Sequence, residues 1–118
     1  MALKNYADVQ NALKTFVTQA GVTPGQAKHG AFWMTMSYGE FTTGNVPNVP
    51  AGPWRICVPG QADQSNIIQI LCGYGDAFNS FGQMPQNSPP YVMQTYTQYD
   101  LICDLRDWIN NNCPNPTS

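Results

Sequence analysis

Apolar residues recur at helical spacing in the first and last parts of the chain, and these two stretches frame everything between them. From about Tyr6 to Ala20, Val9, Leu13, Phe16, Val17 and Ala20 fall on one stripe of a helix. Asn5 is placed to cap it, Asp8 puts a negative charge in the first turn, and Gly21 ends it. From about Tyr99 to Asn112, Leu101, Ile102, Leu105, Trp108 and Ile109 form a continuous apolar face. Thr97, with Asp100 three residues later, caps this helix, and Pro114 lies beyond its end.

Two shorter helices are expected between them. Ser37 followed by Glu40 is a capping-box pattern that opens a helix over Tyr38 to Thr43, closed by Gly44. Ile67, Ile68, Ile70 and Leu71 mark another, from about Gln64 to Leu71, with Gly73 as its stop. Pro47, Pro50 and Pro53 hold the stretch after Gly44 in extended backbone. Trp54 to Val58 reads as a brief strand-like piece before the Pro59-Gly60 turn. Residues 74–93 are irregular, with Gly75, Gly82, Pro85, Pro89 and Pro90. The expected fold is all-α: about four helices joined by long Pro/Gly-rich loops, in one domain over residues 1–118 with a frayed tail from about 114.

Composition narrows the function classes. With 118 residues there is room for one core, and 42% hydrophobic residues suffice to fill it. Only 10% of residues are charged, so amides, hydroxyls and backbone make up much of the surface. The net charge is −2 and five Lys or Arg residues are scattered, which gives nucleic acid no basic stripe to bind. No apolar run reaches the length of a membrane span. The first twenty residues lack the apolar core of a signal peptide, so a cytoplasmic start or a signal already removed is expected.

The local wording in the second half is more specific. Val58 to Leu71 (VPGQADQSNIIQIL), Phe81 to Tyr91 (FGQMPQNSPPY) and Tyr99 to Pro114 (YDLICDLRDWINNNCP) resemble the C-terminal half of class I c-type cytochromes. The match extends more loosely to the first helix, which packs across the last one in that fold. The resemblance implies a cytochrome c-like fold and makes Met84 the counterpart of the methionine that ligates haem iron. The counterpart of the C-x-x-C-H attachment motif reads Gly25-Gln26-Ala27-Lys28-His29-Gly30. Its histidine remains, 84 − 29 = 55 positions before Met84, but Gly25 and Lys28 replace both cysteines. No thioether forms to either, so the resemblance is to a degenerate member of that family, with covalent haem excluded at this site.

His29, the only histidine, is a metal ligand in chemical type, as is Met84. The simpler readings are a histidine bonded to a backbone carbonyl and a methionine filling a core gap. Bulky side chains near both positions are suited to occupy porphyrin space: Phe32, Trp33, Met34, Met36, Tyr38 and Phe41 after His29, and Phe78, Phe81 and Tyr91 around Met84. Core filling is the first expectation. A pocket for a small apolar ligand, walled by Phe32, Trp33, Tyr38, Phe81 and Tyr91, is the second.

Cys57, Cys72, Cys103 and Cys113 contain no C-x-x-C pair, which disfavours zinc or an iron–sulfur cluster. Cys103 and Cys113 are roughly 15 Å apart along a helix and cannot bond each other. Each would pair with Cys57 or Cys72, marking a periplasmic or secreted protein; buried free thiols are the alternative and suit the cytoplasm. The acids Asp8, Glu40, Asp63 and Asp100 belong to helix starts, and Asp104 and Asp107 flank Arg106 on a solvated face. Neither acid–base catalysis nor a nucleophilic triad has its residues here. The expected function is therefore a haem-free cytochrome c-like domain acting as a binding, interaction or accessory module for a protein partner or small apolar ligand; a small enzyme using the aromatic pocket is a third, weaker reading. The alternative is an electron carrier with non-covalent haem held by His29 and Met84.

Overall fold

The computed structural model describes residues 3–20, 32–46, 54–75, 79 and 95–115, and the regular elements among these are helices, beside one isolated antiparallel bridge between Asn45 and Arg55. Helix α1 spans Tyr6–Ala20. The Asn5 side chain accepts from the Asp8 amide at 2.8 Å, and the Asp8 carboxylate accepts from the Lys4 amide at 2.9 Å. These contacts satisfy donors that the helix start leaves without intrahelical partners. Tyr6, Val9, Ala12, Leu13 and Phe16 are buried, with Val17 half-buried at the end of the same face.

One element was not foreseen. Phe32–Thr35 forms a single-turn helix, α2, too short to show periodicity. Helix α3, Tyr38–Thr43, has the expected capping box: Ser37 Oγ accepts from the Glu40 amide, and Glu40 returns the contact to the Ser37 amide at 2.9 Å. Gly44 closes it by donating to the Glu40 carbonyl at 2.7 Å.

Trp54 to Val58 does not form a strand; only Arg55 pairs, with Asn45. The Pro59-Gly60 turn follows, with Gly60 at φ +80°. An added Cβ there would meet the Asn112 side-chain oxygen at 2.7 Å, so glycine is required both by its backbone and by close approach. A 3-10 turn, Ala62–Gln64, precedes helix α4, Asn66–Cys72, in place of a helix running from Gln64. The break is set by Ser65, whose fully buried hydroxyl accepts from the Val58 amide at 2.8 Å and donates to the Gln61 carbonyl at 3.1 Å. Gly73 terminates α4 in the left-handed conformation at φ 93°.

Helix α5, Gln98–Asn110, occupies the centre, packing on α1, α4 and the 3-10 turn. Thr97 and Asp100 form its capping box. Leu101, Leu105, Trp108 and Ile109 are buried, each contributing ~1.5–3 kcal/mol of transfer free energy. Gln98 is also fully enclosed, and its amide donates to the Leu71 carbonyl at 2.8 Å, tying α5 to the end of α4. No helix among the described residues is long and apolar enough to cross a membrane.

Candidate functional site

The densest chemistry lies where the chain leaves α5. Asn112 and Cys113 both adopt left-handed backbone, at φ 67° and 51°, which side-chain-bearing residues take up only when their surroundings impose it. Several contacts impose it here. The Cys113 amide donates to the Trp108 carbonyl at 3.0 Å, and the Trp108 indole N–H donates to the Pro114 carbonyl at 2.9 Å. The Tyr38 hydroxyl donates to the Cys113 carbonyl at 2.5 Å, and Asn115 accepts from the Tyr6 amide at 3.0 Å. Pro114 and Asn115, expected to begin a frayed tail, are thus tied to α1 and α5.

This reversal carries Cys113 inward, where it is fully buried beside the equally buried Cys57. The two thiols interact directly through their side chains. Cys57 also lies within donating reach of the Phe41 carbonyl, at 3.6 Å. Contact with Cys113, reinforced by burial, pushes the Cys57 thiol up. Cys113 is drawn down by the Cys57 contact, with the Arg55 charge acting in the same direction against burial. Arg55 is fixed by donating to the Thr42 carbonyl at 2.9 Å.

An aromatic cluster covers the pair. Tyr6 and Phe41 meet tilted at 5.1 Å, Tyr6 and Tyr38 edge to face at 6.1 Å, and Phe41 and Trp108 tilted at 6.3 Å. The Tyr6 hydroxyl reaches the Trp33 carbonyl at 3.0 Å and the Met36 carbonyl at 2.9 Å, holding α2 and its exit turn onto α1. Burial is the main reason its acidity falls, pushing the phenol up to about 12. Burial also raises Tyr38, with smaller contributions from Cys113 and Cys57.

The sequence-derived candidates fare unevenly. His29, Met84, Phe81 and Tyr91 lie outside the described residues, as does the side chain of Phe32. Trp33 is buried in the core, and Tyr38 is half-buried against the C-terminal junction. Of the cysteines, Cys57 and Cys113 come together, whereas Cys72 is half-buried on α4 and Cys103 is exposed on α5; all four are free thiols. The acids are engaged structurally: Asp104 accepts from the Tyr96 hydroxyl at 2.6 Å, and Asp63, not a neighbour on α5, pairs with Arg106 at 2.5 Å. Asp104 is therefore not part of a freely solvated face. Among the described residues, no group of three or more His, Cys, Asp or Glu is arranged to hold a metal.

Tyr6 and Arg55 were missed from sequence. Tyr6 stands three positions before Val9, so extending the α1 stripe by one turn would have included it. Arg55 gives no comparable signal, because its relation to Cys113 spans the fold. The sequence holds no C-x-x-C-H motif, and Trp33 and Tyr38, the described members of the expected aromatic wall, are engaged in the core and its C-terminal junction. Comparison with family models, curated proteins and solved structures finds no match to this chain.

Proposed function

We propose that this chain is a haem-free domain of cytochrome c-like layout that acts as a binding or interaction module. The observation that carries the reading is the inward placement of Trp33 and Phe41. Both come from the aromatic segment after His29 and both are buried in the core, Phe41 between Tyr6 of α1 and Trp108 of α5. A domain that has lost its porphyrin needs such filling, because an apolar void of that size is strongly destabilising. The packing of α1 on α5 supports the layout, and the commitment of the acids to caps and hydrogen bonds supports binding over acid–base chemistry.

The surface is suited to docking by hydrogen bonds, being rich in amides and hydroxyls and poor in charge. Tyr99, 71% exposed on α5, offers the amphipathic ring often found in contact surfaces. A protein partner or a small apolar ligand is the occupant this chemistry would take.

The test is an absorption spectrum of the native protein with an iron assay, followed by titration with haemin. The expected result is no Soret band, no stoichiometric iron and no saturable shift. A saturable shift that His29→Ala or Met84→Ala abolishes would replace this reading with that of an electron carrier.

A further inference from the structure

We infer that Cys57 and Cys113 are the chain's oxidation pair, joining by a disulfide that staples the segment after the Asn45–Arg55 bridge to the end of α5. The inference goes beyond the binding role and is independent of it. Three features of the fold bring the pair together. Cys57 sits in an irregular segment held to α5 nearby by the Gly60 amide donating to the Ile109 carbonyl at 2.7 Å and the Ala62 amide to Asn110 at 3.0 Å. Asn112 and Cys113 turn the chain back through consecutive left-handed residues. The Tyr38 hydroxyl holds the carbonyl of the fully buried Cys113, while the Cys57 thiol reaches the Phe41 carbonyl on the same helix, α3.

The spacing argument from sequence allowed Cys103 and Cys113 each to choose between Cys57 and Cys72. Tertiary packing makes that choice, because Cys113 interacts directly with Cys57, while Cys72 faces the Arg106 and Asp63 side of α5.

The chemistry is thiol–disulfide exchange with a small-molecule disulfide as oxidant. Cys113, having lost its proton to solvent while its segment is undocked, attacks one sulfur of that disulfide. A bond forms from Cys113 to that sulfur, the oxidant's S–S bond breaks, and the departing thiolate takes a proton from water. Cys57 then loses its proton to solvent and attacks the Cys113 sulfur, expelling the second small thiolate, which is protonated in turn. Two protein thiols lose two electrons and two protons, and one small disulfide becomes two thiols. Both sulfurs are fully buried in the folded chain, so exchange proceeds while residues 111–115 are undocked, during folding or local opening. A bond that persists in the native protein marks an oxidising compartment.

The full chain is unfolded under reducing conditions and refolded in mixed oxidised and reduced glutathione. It is then alkylated in denaturant and digested without reductant for peptide mass mapping. The expected product is a crosslinked peptide pair containing Cys57 and Cys113, two hydrogens lighter than the separate peptides and split by reductant. The same pair should form in the double variant Cys72→Ser/Cys103→Ser, which keeps only these two thiols. Quantitative alkylation of Cys57 and Cys113, or crosslinking of either to Cys72 or Cys103, overturns the inference. So does a double variant that refolds with both thiols intact.

Discussion

The backbone amide of Tyr6, in the first turn of α1, donates to the side-chain oxygen of Asn115 at 3.0 Å, across a separation of 109 residues. One end of the chain thus supplies a hydrogen-bond acceptor to the helix start at the other. Asn115→Ala should destabilise the protein by about 1 kcal/mol, the usual cost of losing such a contact at a helix start. Asn115→Asp should retain most of that stability, because a carboxylate also accepts and suits the helix dipole. Urea denaturation of the three proteins checks both values. Equal stability of Asn115→Ala and the unmodified chain would show that the contact contributes nothing.

The Ser37–Glu40 capping box gives a pH signature. Hydrogen bonds from the Ser37 amide and hydroxyl hold the Glu40 carboxyl below its ordinary value of 4.5. A depressed folded value means that the contribution is fully present above the unfolded value and is lost as pH falls through the folded one. Stability measured from pH 6 down to pH 3 should therefore decline less steeply in Glu40→Gln than in the unmodified chain. An unchanged acid limb would refute the assignment.

At the alkaline end, Tyr6 carries the corresponding effect with opposite sign. Its folded value of about 12 exceeds the ordinary 10.0, so its stabilisation is complete below 10 and disappears as pH rises through 12. Titration followed at the tyrosinate absorption band should show a late step that Tyr6→Phe removes. The same substitution should cost ~1–2 kcal/mol at neutral pH, since it removes the hydroxyl reaching the carbonyls of Trp33 and Met36.

Gln98 is a polar residue in a sealed position. Gln98→Leu keeps its bulk but removes the hydrogen bond to the Leu71 carbonyl, with an expected loss of about 1–3 kcal/mol. Thermal denaturation reads the change, and a gain in stability would mean that apolar volume matters more than the hydrogen bond at this junction.

Oxidation of Cys57 to Cys113 closes a loop of about 57 residues and should stabilise the fold by ~4 kcal/mol through the reduced freedom of the unfolded chain. Denaturation with and without dithiothreitol measures the difference. Identical midpoints for chains shown by mass to be crosslinked and reduced would remove this stabilising role.

Local signals made much of the secondary structure legible. The bounds expected for α1 and α3 coincide with those observed, and the Thr97–Asp100 box places the start of α5 to within a residue. Caps and periodic faces act over three or four residues, so they are written directly in neighbouring letters. Helix α2 escaped detection because a single turn has no period, and α4 begins later than expected because Ser65 bonds back to Gln61 and Val58.

The sequence by itself determined an all-α chain and the two amphipathic helices near its ends. The expectation that Cys103 and Cys113 lie a helix length apart does not carry over, because α5 ends at Asn110 and Cys113 turns back beyond it. Only the tertiary structure decided that Cys113 meets Cys57, that Tyr6 organises α2, and that Asn115 closes onto α1. Those relationships join segments 27 to 109 residues apart, and the placement of Cys113 also depends on two left-handed residues that the surrounding contacts impose. Short-range propensity carries no information about such pairings, because their energy exists only once distant parts of the core have assembled.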